Sequence, residues 1–331
     1  MNKLKVIVCG AVFGQIYIKG INMNEKYELV GILSNGSKLS NDLSNIYGVP
    51  LYTDISNIPI NEIDLVCVVV RSTIVGGVGT NIAKFFLERG LSVIQEQPVH
   101  LKEVMSNTRL ANIKNTNYLV NSFYPYFPSV VNMLDAINKI KLTNKVYSIN
   151  CSCGIQILFP TLDILSKIIG KIEIIQILGM QQNSDFEKYI YLNIENVFVM
   201  LRVFNRNNYI GKDNPITSIF NIDISTDLGD LYLTDVCGYL IWNNKPLIIE
   251  NYLKNKYNPR GEELINNNIY SFKEKSFKES FNSEWPKSVS NYLNLYYELL
   301  NNKEKKLEYY NNMVNVLKLW NKISLALESR Y

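Results

Sequence analysis

Short β-branched runs alternate with segments of helical period through the first 122 residues of this chain, and no other feature restricts its fold as much. Lys5 to Cys9, Tyr27 to Leu33, Asp64 to Val70, Ser92 to Gln95 and Tyr118 to Asn121 read as strands, while Thr80 to Arg89, ended by Gly90, reads as one of the helices between them. Alternation of this kind builds βαβ units and a mostly parallel sheet. The run from Asp64 to Val70 is apolar nearly throughout, as a strand covered on both faces should be.

From about Tyr124 the pattern changes. A helical stretch, Ser129 to Lys139, precedes long alternating segments at Lys145 to Ser152, Ile172 to Gly179, Tyr189 to Phe204 and Ile216 to Ser225, with a helix at Leu162 to Ile169 between them. These predict a large, mostly antiparallel sheet with one open face. The aromatic residues Tyr189, Tyr191, Phe198 and Phe204 could line a groove, but the core of such a sheet explains them more simply. Helical periodicity returns from Trp285 to about Leu327. The expected architecture is therefore an α/β N-terminal domain over residues 1–122 and an α+β C-terminal domain over residues 123–331 that includes the final helices.

Composition narrows the functional classes. The chain has 331 residues, 47% hydrophobic and 19% charged, with a formal charge of +4. So thin an excess of positive charge argues against nucleic acid or an acidic membrane surface. No apolar run reaches the ~18 residues that a membrane span requires. The five cysteines sit mostly in apolar runs and read as free thiols of a reducing compartment, and with a single histidine in the chain a metal site is not expected. A cytoplasmic location is the expectation.

The turn after the first strand, Gly10-Ala11-Val12-Phe13-Gly14, stands where a dinucleotide-binding (Rossmann) fold places its phosphate loop. Its glycine spacing departs from the usual G-x-G-x-x-G, since Val12 and Gln15 occupy the second and third glycine positions. After the second strand comes Ser34-Asn35-Gly36-Ser37-Lys38. An acid there would hold the ribose hydroxyl of NAD; Ser34, Gly36, Ser37 and Lys38 offer donors instead, so NADP(H) is the expected cofactor. Arg71 and Ser72, at the end of the third strand, are further cofactor neighbours.

Candidates for chemistry lie where later strands end. Glu96 and Gln97 precede Pro98 at the carboxyl edge of the sheet, where open α/β folds bind their ligands. His100 follows, either as a proton donor or as an ordinary residue at a helix start. Tyr124, after the next strand, is expected to face the same cleft.

The glycine turn, the Glu96-x-Pro98 turn and the β-rich second half resemble the two-domain oxidoreductases of the glucose-fructose oxidoreductase, inositol dehydrogenase and MocA superfamily. Within it, the chain is similar to the thiazolinyl imine reductases of siderophore assembly lines. The segments that carry the likeness are Val8 to Gly14, Val68 to Ser72 with Gly76 to Thr80, Gln95 to His100, Asn121 to Pro125, and Gly154 to Leu165. The resemblance implies hydride transfer from NADPH to the C=N carbon of a thiazoline held on a nonribosomal peptide synthetase carrier domain, giving a thiazolidine, and it implies a homodimer. Two positions depart from the family pattern. Gln97 stands where the wider superfamily has lysine and the imine reductases have histidine, and Pro160 stands where the superfamily has a histidine. An amide does not donate a proton as an acid does, which leaves Tyr124 as the expected donor and His100 behind it. The alternatives are an NADP-dependent dehydrogenase of a small sugar or polyol, which would need a base, and a non-catalytic NADP-binding regulator.

Overall fold

The computed structural model describes residues 3–70, 77–184, 186–204, 219–246, 264–270 and 275–328. It divides into two compact units, Met1–Phe127 with Lys275–Asn321, and Pro128–Glu274 with Lys322–Tyr331.

The first unit is built on a parallel sheet of six strands in the order β3-β2-β1-β4-β5-β6. These are β1 (Leu4–Cys9), β2 (Tyr27–Leu33), β3 (Leu51–Tyr52), β4 (Leu65–Val68), β5 (Ser92–Glu96) and β6 (Tyr118–Asn121). Helices α1 (Gly14–Asn22), α2 (Lys38–Tyr47), α3 (Val78–Glu88) and α4 (Leu101–Ile113) connect them. Every residue of β4 is buried, as its apolar sequence demands. Strand order reverses between β1 and β4, so the crevice at the carboxyl ends of these strands is the topological switch point of the sheet.

Three C-terminal helices, α7 (Phe277–Asn282), α8 (Glu284–Asn301) and α9 (Lys303–Glu328), carry most of the tail, and all but the end of α9 packs in this first unit. That differs from the expected division, which gave these helices to the second domain. The reason is side-chain fit. A Cβ on Gly20 of α1 would come within 2.6 Å of Val289 Cβ and 2.7 Å of the Pro286 carbonyl, so only glycine lets α8 lie this close. Tyr27 Oη donates to the Leu293 carbonyl at 2.6 Å. On the far side, Tyr309 Oη donates to Val120 O at 2.8 Å and Tyr310 Oη to Tyr118 O at 2.7 Å. Strand β6 is the outermost of its sheet, and these hydroxyls occupy edge groups that a further strand would otherwise pair.

The second unit is an eight-stranded sheet in the order β14-β13-β12-β11-β7-β10-β9-β8. Its strands are β7 (Val146–Gly154), β8 (Ile175–Ser184), β9 (Glu187–Ile194), β10 (Val197–Phe204), β11 (Phe220–Thr226), β12 (Gly229–Leu233), β13 (Leu240–Asn244) and β14 (Asn266–Tyr270). Neighbours are antiparallel except β7 and β10, which run parallel. The segment read as one alternating run from Tyr189 to Phe204 is a hairpin, because Glu195 and Asn196 both take positive φ and reverse the chain. Helices α5 (Pro128–Lys141) and α6 (Leu158–Ile169) pack on this sheet. Ile190, Leu192, Val199 and Leu201 are buried, while Tyr189, Tyr191 and Phe204 are half-buried and Phe198 is exposed. The four aromatic residues are thus on the open face and not in the core, which corrects the simpler reading of them.

Four cysteines are buried and Cys237 is half-buried; all are free thiols. Among the described residues, no helix is long and apolar enough to cross a membrane.

Candidate active site

Two turns at the carboxyl edge of the parallel sheet define the site. The first follows β1. Gly10 has φ +100°, and a Cβ there would sit 2.6 Å from the Val69 carbonyl oxygen, so both the backbone conformation and the approach of the chain leaving β4 require glycine. Gly14 opens α1, with its Cα facing Val8 closely enough that a Cβ would come within 3.2 Å of Val8 Cγ1. Phe13 occupies the N-cap without a side-chain cap bond, and no acid lies in the first turn of α1. Val12 is 78% exposed and Ala11 is buried. Backbone N–H groups at such an uncapped helix start suit a pyrophosphate.

Beyond β2, Ser34 is half-buried while Asn35, Gly36, Ser37 and Lys38 are exposed. Gly36 has φ +75° and turns the chain into α2, which Ser37 caps by accepting from Ser40 N at 3.3 Å. Lys38 is the first residue of that helix. The stretch Ser34 to Lys38 therefore presents hydroxyls and an ammonium and no carboxylate. Arg71 and Ser72 lie outside the described residues.

The second region is formed by the turns that follow the parallel strands β5 and β6, whose ends lie side by side with Glu96 in register with Asn121. Three polar side chains from three elements converge here. Tyr17, fully buried on α1, donates its hydroxyl to Glu96 Oε2. Asn121, also fully buried, donates from Nδ2 to Tyr17 Oη at 2.7 Å and accepts at Oδ1 from Phe123 N at 2.8 Å. Burial raises the Glu96 carboxyl to about 8, against a smaller lowering by the Tyr17 hydrogen bond. Burial, and then the neighbouring Glu96, raises Tyr17 well above the ordinary tyrosine value. The cluster is neutral near neutral pH and holds its proton on the carboxyl.

Phe123 has φ +63° and ψ −63°, with Tyr124 N donating to Ser122 O at 2.8 Å. That is a γ-turn of the rare, strained form. Asn121 holds its N–H, and Ser288 of α8 donates to its carbonyl at 2.6 Å, so the surroundings fix the conformation. The turn places Tyr124 in an aromatic cluster, stacked on Phe127 at 5.9 Å between centroids and edge-on to Trp285 at 6.1 Å. Tyr124 is buried. Phe13 of the glycine turn meets Phe123 at 5.2 Å and Trp285 at 6.0 Å, which joins the two turns through one apolar contact.

Gln97 N donates to Asn121 O at 3.2 Å, and the Gln97–Pro98 peptide is cis. Its side-chain Oε1 is buried and has no hydrogen-bond partner among the described residues. An acceptor left alone in this way is held ready for a donor. His100 caps α4, with Nδ1 accepting from Lys102 N at 3.2 Å, so the ordinary helix-start role is the one its geometry displays.

The structure thus brings together Gly10 to Gly14, Glu96, Gln97 and Tyr124. Tyr17, Asn121 and Ser288 join this arrangement through their hydrogen bonds and were not singled out as site residues in the sequence. Asn121 lies in the segment already singled out beside Tyr124, whereas Tyr17 and Ser288 carry no local signal except their place on the apolar faces of helices. The residues fit a nicotinamide dinucleotide on two counts, a tight glycine turn leading into an uncapped helix start and an orphan acceptor at Gln97 that a carboxamide N–H would satisfy. When bound, that cofactor supplies a hydride; Gly10 to Gly14 would hold its pyrophosphate and Gln97 its carboxamide.

Comparison with known proteins agrees with this geometry. Residues 4–122 match the Gfo/Idh/MocA oxidoreductase family with its NAD-binding Rossmann fold. No curated protein sequence matches the chain. Among solved structures, an oxidoreductase from Agrobacterium radiobacter in complex with NAD+, L-tartaric acid and magnesium is 12% identical, with a TM-score of 0.68 over 95% of this chain and 94% of its own. KijD10, a 3-ketoreductase from Actinomadura kijaniata, in complex as a mutant with TDP-benzene and NADP, is 11% identical, with a TM-score of 0.69 over 97% and 96% of the two chains. The dehydrogenase MviM from Clostridium difficile is 13% identical, with a TM-score of 0.68 over 98% and 100%. At such identities the likeness is one of fold, and it extends over both sheets.

Proposed function

With an NAD(P)-dependent oxidoreductase domain over residues 4–122 as the premise, we propose that the protein reduces the C=N bond of a thiazoline with NADPH, giving a thiazolidine. The observation that carries this reading is the side chain at 97. Oxidation of an alcohol needs a base to take the hydroxyl proton, and the polar groups of this turn are an amide, a neutral carboxyl, a tyrosine and an asparagine. Reduction needs a proton delivered to the heteroatom as the hydride arrives, and this turn holds one, which favours the reducing direction. The similarity of Gln95 to His100 and of Asn121 to Pro125 to thiazolinyl imine reductases supports the same substrate class.

In this reading the thiazoline arrives on a nonribosomal peptide synthetase carrier domain, and the open sheet face of the second unit serves a homodimer. Ser34, Ser37 and Lys38 select the 2′-phosphate of NADPH over the bare ribose of NADH. Tyr124 is the donor that the sequence singles out, with His100 behind it.

The test is oxidation of NADPH, followed by its absorbance, with a hydroxyphenyl-thiazolinyl-thiazoline thioester and in parallel with polyols and nucleotide-linked ketosugars. Turnover with the thioester supports the reading, while turnover with the sugars alone replaces it with the dehydrogenase. NADPH binding with no turnover on any of them points to a regulator. Lys38→Glu is expected to weaken NADPH about 10-fold relative to NADH, one unit charge being worth roughly 1–2 kcal/mol at such a surface.

A further inference from the structure

We infer that Glu96 is the acid that protonates the nitrogen of the reduced C=N bond, with Tyr17 and Asn121 as the residues that position it. The inference rests on the imine-reducing reading and deepens it, because it names the source of the proton.

Geometry carries the argument. Glu96 ends β5 at the switch-point edge, immediately before Gln97. Its Oε2 accepts from Tyr17, and Tyr17 in turn accepts from Asn121, so the phenol has one orientation and donates in one direction only. With Oε2 engaged as an acceptor, the acidic proton resides on Oε1, for which no protein acceptor is recorded among the described residues. Glu96 as a whole is only partly buried. The titratable groups that face the carboxyl are Tyr17 from α1 and Cys67 from β4, both raised by burial and therefore uncharged at neutral pH. Asn121 from β6 carries no charge. Among the described residues, no cation contributes to the Glu96 ionisation. The other candidates are committed elsewhere: Gln97 has no acidic proton, His100 caps α4, and Tyr124 is packed among rings.

The reaction balances with these groups. NADPH supplies the hydride and its electron pair, a C–H bond forms at the imine carbon, and the C=N π pair moves to nitrogen. That nitrogen takes the proton from Glu96 Oε1, and the carboxylate left behind recovers a proton from water. The Tyr17 hydrogen bond stabilises this carboxylate as it forms, which is why Tyr17 is a positioning residue and not a second acid.

The experiment compares wild type with Glu96→Gln, Tyr17→Phe and Tyr124→Phe by two readouts. Infrared spectroscopy without substrate is expected to show a protonated-carboxyl C=O band at neutral pH that disappears with a midpoint of about 8. The band is absent in Glu96→Gln and persists to higher pH in Tyr17→Phe, because the lost hydrogen bond favoured the ionised form. With the thiazoline thioester, kcat falls about 100-fold or more in Glu96→Gln, the alkaline limb of the wild-type profile follows the infrared midpoint, and Tyr17→Phe moves both together. Tyr124→Phe leaves that limb in place.

A wild-type band that titrates with ordinary carboxylates overturns the inference, as does a Glu96→Gln enzyme with the wild-type rate or an alkaline limb that moves in Tyr124→Phe instead. The infrared titration needs no substrate. Absence of thioester turnover beside a band that titrates near 8 therefore refutes the substrate reading and not the carboxyl assignment.

Discussion

The glycine turn after β1 and the acid turn after β5, beside the end of β6, lie at the same edge of one sheet and are built in opposite ways. The first is all backbone: a forced glycine, an uncapped helix start and an exposed Val12. In the second, side chains hold one another, with Asn121, Tyr17 and Glu96 hydrogen-bonded in that order and Ser288 bracing the strained Phe123 turn. A phosphate group common to many substrates and cofactors is well served by main-chain N–H groups that any sequence supplies. A proton at a chosen energy needs particular side chains at particular depths, and these must be held.

The largest effect is expected where the backbone turn has no slack. Gly10→Ala places a Cβ 2.6 Å from the Val69 carbonyl at a φ of +100°, and should cost about 2–5 kcal/mol of stability and abolish NADPH binding. Calorimetric melting with fluorescence titration checks both, and wild-type affinity would refute the claim that this turn is rigid.

Next comes the pH dependence of the acid turn. The folded-state value of Glu96 is raised from 4.5 to about 8. Its contribution to stability is therefore complete below the unfolded carboxylate value and is lost as pH rises through about 8. Glu96→Gln removes that loss, so its stability relative to wild type should improve by a few kcal/mol between mildly acid and alkaline pH. Denaturant unfolding across this range decides it; a constant difference would mean that the carboxyl is solvated.

Ser288→Ala leaves the buried Phe123 carbonyl without its donor and should cost about 1–2 kcal/mol. Turnover should fall with it if the strained turn sets the site. His100→Ala is the smallest, about 0.5–1 kcal/mol for a lost cap, with no change in the pH profile of turnover.

Much of the fold was legible because it is periodic. The β-branched runs ended where β1, β2, β4, β5 and β6 end to within a few residues, and Gly10 announced the switch-point turn. β3 escaped notice because two residues form no pattern. The hairpin at Glu195 and Asn196 had one trace in the sequence, a slip of the alternation from Ile190, Leu192 and Ile194 to Val197, Val199 and Leu201, which is easily read through as one run. At the site, Glu96, Gln97 and Tyr124 were found by position at strand ends. Tyr17 was not, since it meets Glu96 across 79 positions of sequence, and only the order of β1, β4 and β5 in the sheet brings α1 to that edge. The placement of α8 had one local trace, a glycine inside α1 that the helix itself does not need.

The return of the C-terminal helices to the first sheet has a consequence for biosynthesis. A chain emerging from the ribosome exposes strand β6 long before Tyr309 and Tyr310 exist, and the whole second sheet is translated in the interval. Through that time the β6 carbonyls at Tyr118 and Val120 form an open edge, able to pair with any extended strand nearby. The N-terminal unit, begun first, is thus completed only when residues 275–321 have been translated, and a chain cut short after residue 274 would have its first sheet formed but one edge still uncovered.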